Sequence, residues 1–105
     1  MANTKAIVEA KIAGKKVMVF SKSYCPYCKL GKKVLEAYIG KELKAEDYEV
    51  WEIENEANCA EIQAVLGKMT GATSVPRVFI NGKFIGGGSE TQDLDKSGEL
   101  RKMLS

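Results

Sequence analysis

Apolar and polar positions along this 105-residue chain fall into blocks whose period changes from helical to strand-like and back. Asn3 or Thr4 offers an N-cap for a first helix reaching about Ile12, with Gly14 as its stop. In "KKVMVFS" Val17 and Val19 alternate with Met18 and Phe20, so both faces are apolar and a strand buried on both sides is predicted. From Pro26 to Ile39 the pattern turns helical: Leu30, Val34 and Tyr38 recur every four residues and Gly40 ends the run. "YEVWEIE", residues 48 to 54, reads as a second strand. Asn58, with Glu61 three residues on, predicts the capped start of a helix. Ile62, Val65, Leu66 and Met69 form its apolar stripe, and Gly71 closes it.

"RVFINGKFIGG" predicts a hairpin, because Asn81-Gly82 suits a type I′ turn between two apolar runs. Ser89 and Gln92 then make a capping-box pattern before a last helix that Gly98 interrupts. The order is α-β-α-β-α-β-β-α. A strand–helix–strand unit of this kind is parallel with a right-handed crossover. The hairpin adds two antiparallel strands, so the fold class is α/β: a central four-stranded mixed sheet flanked by helices.

Composition narrows the function. Residues 1–105 have the length of a single domain, and 45% hydrophobic with 29% charged content fits a soluble globular chain that needs no staples. A net charge of +2 gives no reason to expect a nucleic-acid partner, and no apolar run is long enough for a membrane span. The opening "MANTKAIVEAKIAG" lacks the apolar block of a secretory signal, so a cytoplasmic, reducing compartment is expected. Cys25, Cys28 and Cys59 are too few for a disulfide framework. The absence of histidine removes Cys-His proteases, imidazole metal sites and histidine acid–base chemistry together.

The remaining chemistry lies in "SKSYCPYCKLGKK", residues 21 to 33. Cys25 falls where the first strand meets the second helix, and Pro26 takes the first helical position, where its missing N–H costs nothing. Cys25 is then the N-cap and Cys28 lies one turn below on the same face. Unpaired amides and the helix dipole point at the Cys25 sulfur, and Lys22, Lys29, Lys32 and Lys33 surround it. Each feature favours a thiolate. Lowering a thiol's pKa by ~3.5 units raises its thiolate fraction at neutral pH roughly 30-fold and costs it roughly 40-fold in nucleophilicity. The two effects nearly cancel for attack, so the larger benefit is to Cys25 as a leaving group. Three cysteines cannot complete a four-ligand zinc site without histidine, so no metal site is expected. A permanent staple does not suit a reducing compartment.

At these residues the chain resembles the dithiol glutaredoxins, on the thioredoxin-like fold. The likeness runs from "VMVFSKSYCPYC" through "TSVPRVFINGKFIGG" to the end, and CPYC is its most specific part. Thioredoxins instead carry a tryptophan before Cys-Gly-Pro-Cys. The resemblance implies a glutathione-disulfide oxidoreductase that reduces glutathionylated proteins and protein disulfides. Cys25 would be the nucleophile and Cys28 the resolving thiol. Glutathione would be a co-substrate, the chain a monomer, and no tightly bound cofactor is expected. An alternative from another class is a dimer bridging a [2Fe-2S] cluster through Cys25 and bound glutathione. Relatives devoted to that task usually carry Cys-Gly-Phe-Ser instead.

The resemblance also implies a glutathione site. "SVP", residues 74 to 76, matches the family's Thr-Val-Pro, so Pro76 should follow a cis peptide and Val75 should pair with the ligand backbone. Lys22 and Gln63 match positions that hold the glycine carboxylate. The γ-glutamyl carboxylate should meet the start of the last helix near Gly87, Ser89 and Glu90, with Glu90 taking the amine. Tyr27 would line the groove, and Arg77 would add positive field. Each also has an ordinary reading as a solvated surface or turn residue. The chain departs from the common Gly-Gly-Cys followed by two acidic residues or Ser-Asp: it has Gly86-Gly87-Gly88-Ser89-Glu90. Cys59, on the apolar side of its helix, reads as a core thiol. Its other reading is a regulatory thiol in a helix's first turn.

Overall fold

β1 (Val17–Ser21) is buried along its whole length, as a strand with two apolar faces should be. It is the hub of a computed structural model that describes residues 2–105. β2 (Tyr48–Glu52) runs parallel to β1, and β3 (Arg77–Ile80) runs antiparallel on its other side. β4 (Lys83–Gly86) completes the four-stranded order β2-β1-β3-β4. Only two residues link β3 to β4, and Asn81 (φ 52°) and Gly82 (φ 80°) both adopt the left-handed conformation of a type I′ turn.

Alternation along β1 feeds two cores. On one face Val17 and Val19 meet Leu35, Tyr38, Leu43, Val78, Ile80, Leu100 and Leu104. On the other, Met18 and Phe20 meet Val8, Ile12, Ile53, Ile62, Leu66 and Phe79. Each fully buried large side chain contributes about 1.5–3 kcal/mol. Helices α1 (Ala2–Gly14) and α3 (Cys59–Thr70) therefore cover one face of the sheet. The other face is covered by α2 (Pro26–Glu36), α4 (Gly88–Ser97) and α5 (Glu99–Leu104). As the sequence suggests, Gly98 divides the last helical segment, here by adopting φ 84°.

Several boundaries differ from the sequence reading. Asn3 and Thr4 lie inside α1 rather than capping it. Thr4 is buried and accepts a hydrogen bond from the Asn58 side-chain amide at 3.5 Å. Asn58 does hold the N-cap position of α3, but its side chain, engaged with Thr4, makes no cap bond. α2 stops at Glu36, and Gly40 belongs to the following turn, where its N–H meets the Leu43 carbonyl at 2.9 Å. β2 stops at Glu52, because the chain dips inward to bury Ile53. In α3 Met69 is 43% exposed, so the stripe that packs is Ile62 and Leu66, with Val65 partly buried against the same core. The buried face of α2 is Cys28, Gly31 and Leu35, whereas Leu30 and Val34 sit at its margin.

Candidate active site

The chain leaves β1 at Ser21 and turns at once, with the Cys25 N–H donating to the Lys22 carbonyl at 3.1 Å. Glu54, just past β2, holds this turn from outside. Its carboxylate accepts the Ser23 N–H at 3.2 Å and also the Ser23 hydroxyl. Those donors, the hydroxyl foremost, hold the Glu54 carboxyl below its ordinary range. Sequence reasoning missed Glu54, since an acid at the end of a strand carries no local signal of a loop anchor.

Cys25 is the N-cap of α2, and Pro26 stands at its first position. The Cys25 sulfur accepts the Cys28 N–H at 3.3 Å, and its S–H donates to the Val75 carbonyl at 3.6 Å. The two cysteines are free thiols of unequal access: Cys25 is half-buried and Cys28 is fully buried. Burial first, and then the neighbouring Cys25 sulfur, push the Cys28 pKa up to about 11. The Lys22 N–H, donating to the Cys28 sulfur at 3.4 Å, acts against that rise. Position thus separates a reachable thiol that meets a helix start from an enclosed one that resists ionisation.

Beside Cys25 lies an open groove of about 240 Å³, lined by Tyr27, Ser74, Val75, Pro76, Arg77 and Gly87 through Glu90. It gathers six residues expected from the sequence: Tyr27, Val75, Pro76, Gly87, Ser89 and Glu90. Lys22 and Gln63 stand outside its lining. The Val75–Pro76 peptide is cis, as the resemblance implies. Gln63 is already engaged: its amide donates to the Thr73 carbonyl at 2.9 Å and its oxygen accepts the Cys59 thiol at 3.5 Å. Cys59 itself is half-buried and packs at the edge of the α1–α3 core.

Two expectations need correction here. Ser89 does not cap α4: the N-cap is Gly87, and Glu90 reaches back to accept the Gly87 N–H at 2.7 Å. The Ser89–Gln92 pattern is displaced because the helix begins two residues earlier than a Ser89 cap would set it, at Gly88. Arg77 adds more than field. It donates to the Ser74 carbonyl at 2.7 Å and the Ser74 hydroxyl at 3.0 Å, and lies 5.0 Å over the Phe84 ring. It therefore braces the loop that presents Val75. Among the lysines, Lys32 pairs with Glu52 at 2.6 Å, while Lys29 and Lys33 are exposed.

Residues 17–85 match the glutaredoxin family model. The chain belongs to the glutaredoxin family. Glutaredoxin-C4 of Arabidopsis thaliana is 44% identical over 92% of this chain and 67% of its own length. An uncharacterized monothiol glutaredoxin of Caenorhabditis elegans is 42% identical over 85% of this chain, which spans 58% of that relative. Oxidized glutaredoxin 2 from Chlamydomonas reinhardtii superposes with a TM-score of 0.88 at 43% identity, covering 98% of this chain and 92% of the other. A buckwheat glutaredoxin–glutathione complex gives 0.87 at 32% identity, covering 98% and 88%. This glutaredoxin has the thioredoxin-like fold and is a thiol–disulfide oxidoreductase. No helix among the described residues is long and apolar enough to cross a membrane.

Proposed function

We propose that this glutaredoxin is a dithiol, glutathione-dependent enzyme that reduces glutathionylated proteins and protein disulfides. The observation that carries the reading is the placement of Cys25. Its half-exposed sulfur accepts an amide at the start of α2 and opens beside a groove that ends at the start of α4. The glutathione bound in the buckwheat relative supports the choice of ligand.

In the reaction the Cys25 thiolate attacks the glutathione sulfur of a glutathionylated protein. The protein thiol departs, and a second glutathione displaces Cys25 from the mixed disulfide. Val75 offers the ligand's cysteinyl backbone an N–H and a C=O, like a short added strand, with Pro76 fixing the turn. Gly87 has no side chain to cap α4, which leaves its first amides, around Ser89, for the γ-glutamyl carboxylate. Glu90 takes the amine through the carboxylate oxygen that Gly87 does not use. Lys22 and Gln63 serve the glycine carboxylate, and Tyr27 covers the groove. Cys28 resolves protein disulfides by closing a transient bond with Cys25, which glutathione reopens. The enzyme works as a monomeric domain of residues 1–105 in a reducing compartment such as the cytoplasm.

Turnover of a glutathionylated peptide by three proteins tests this. Cys25→Ser should be inactive, and Cys28→Ser should stay within about threefold of the parent, since the nucleophile and its helix start are kept. On a protein disulfide Cys28→Ser should lose most activity. Loss of peptide turnover in both variants would refute the monothiol route, and activity in Cys25→Ser would refute the nucleophile. The rival cluster-carrier reading predicts brown, dimeric protein after anaerobic purification. Among the described residues no three metal-ligating side chains converge, so a cluster would draw ligands from outside one chain.

A further inference from the structure

α2 has two flanks. On one, Tyr27 faces the groove that Cys25 shares with the start of α4. Lys29 comes two residues later, about 200° round the helix, and so stands on the other flank. There a second groove of about 470 Å³ runs between α2 and β2, an edge strand of the sheet. Lys29, Lys32, Lys33 and Glu36 line it from α2, and Val50 and Glu52 from β2.

The charges in this groove are not equally engaged. Lys32 pairs with Glu52 at 2.6 Å, and Glu36 accepts the Tyr48 hydroxyl at 2.9 Å. Lys29 and Lys33 are exposed and make no ion pair among the described residues. Like charges four residues apart work against a helix, and so does a cation near its positive end, where Lys29 stands.

Both lysines are in line with the reactive sulfur. The Lys29 N–H donates to the Cys25 carbonyl at 3.0 Å, so Cys25, Lys29 and Lys33 follow one another at four-residue spacing. They lie about 6 and about 12 Å along the helix from Cys25. An extended chain rises about 3.3 Å per residue, so these are the reaches of side chains about two and about four places from a cysteine held at Cys25.

We propose that this groove docks the protein being reduced and selects acidic segments, with Asp or Glu about two and about four residues from the glutathionylated cysteine. The inference deepens the proposed function and rests on it. Glutathione then occupies the Tyr27 flank of α2, and the protein chain lies along the lysine flank. A carboxylate there meets Lys29 or Lys33 without breaking an existing pair, whereas a lysine or arginine is repelled by both.

The test uses one peptide glutathionylated at its single cysteine, with glutamate, glutamine or lysine at those two positions. kcat/KM is measured for the parent, Lys29→Gln/Lys33→Gln and Lys29→Glu/Lys33→Glu. Each value is divided by that for the mixed disulfide of glutathione and 2-mercaptoethanol. Any influence of the lysines on the Cys25 thiolate falls on every substrate and cancels in this ratio. The parent should prefer the glutamate peptide to the glutamine peptide about fivefold, as two exposed charge pairs allow. The preference should fall below about twofold when salt rises from about 0.05 to about 0.5 M, which shortens the Debye length from about 14 to about 4 Å. In Lys29→Gln/Lys33→Gln it should vanish. In Lys29→Glu/Lys33→Glu the lysine peptide should become the better substrate.

No preference for the glutamate peptide in the parent would overturn the proposal. So would a preference that survives in Lys29→Gln/Lys33→Gln, since another surface would then read the charge. Equal rates on the three peptides, with a parent dimer that this variant loses, would assign the groove to a second copy instead. Failure of the parent on the mercaptoethanol mixed disulfide would overturn the glutathione reading itself, and the docking surface with it.

Discussion

Two helices begin at the same groove, and each makes one half of a capping box. In α2 the N-cap side chain accepts the amide three residues on: the Cys25 sulfur takes the Cys28 N–H. In α4 the reverse bond is made: the third residue, Glu90, accepts the N-cap amide of Gly87. A complete box would satisfy both. α2 has Cys28 where an acid would stand, and α4 has a glycine where a capping hydroxyl would stand. What each start lacks is what the proposed chemistry needs. The incomplete cap of α2 leaves the field of a helix start on a displaceable sulfur. That of α4 leaves amides that no side chain claims.

The sharpest way to break this pairing is to force the two starts apart. A Cβ on Gly88 would fall 2.3 Å from the Tyr27 carbonyl oxygen, and backbone cannot give way as a flexible side chain can. Gly88→Ala should cost about 3 kcal/mol, the upper end for overpacking, and lower the melting temperature by about 4–8 °C per kcal/mol. Gly31→Ala is its control. There the added carbon lies 3.6 Å from the Gly88 Cα, an ordinary contact, and alanine is better than glycine inside a helix by about 1 kcal/mol. Equal stability of Gly88→Ala and the parent, measured by urea unfolding, would show that the two starts are not packed as described.

That packing also marks where the sequence was hard to read. The sheet was legible because its signals are local: alternation in β1, the Asn81-Gly82 turn, and the glycines that end α3 and split α4 from α5. The placement of Cys25 and Cys28 was legible for the same reason, since strand, N-cap and Pro26 are neighbours in the chain. The packed face of α2 was not. A stripe of Leu30, Val34 and Tyr38 looks like a core, but a glycine can be a contact surface when another glycine faces it, and Gly31 meets Gly88. The α4 start was misplaced by two residues because Ser89 resembles a cap and Gly87 does not. Glu54 depends on Ser23, 31 positions away in the chain, a pair that no short window reveals.

A milder substitution sharpens the contrast between the helix starts. Glu90→Ala removes the side-chain acceptor of the Gly87 N–H at the start of α4 and should lower stability by about 1 kcal/mol, an ordinary loss for a cap. Cys25→Ser at the start of α2 should do the opposite. Serine is among the preferred N-caps, so the inactive variant should be as stable as the parent or more so by a few tenths of a kcal/mol. Unfolding curves of the two variants side by side decide the point. If Cys25→Ser were the less stable protein, the claim that α2 forgoes a better cap for reactivity would fail.

The smallest effect concerns what holds the α2 start in place from outside. Glu54 binds the Ser23 N–H and hydroxyl, and its carboxyl is held below the ordinary glutamate range. A carboxyl depressed in the folded state supports the loop above its unfolded pKa and loses that support as the pH falls through the folded value. The turn before Cys25 should therefore be indifferent to pH near neutrality and loosen only in acid, below about pH 4.3. In an NMR titration the Ser23 and Cys25 amides of the parent should shift in that acid range alone. Glu54→Gln should abolish the step and leave neutral-pH turnover within about twofold, since the amide oxygen still accepts from Ser23. A parent inflection above the ordinary glutamate value would mean that Ser23 does not stabilise the charged carboxylate. An identical titration in Glu54→Gln would mean that another group holds the loop.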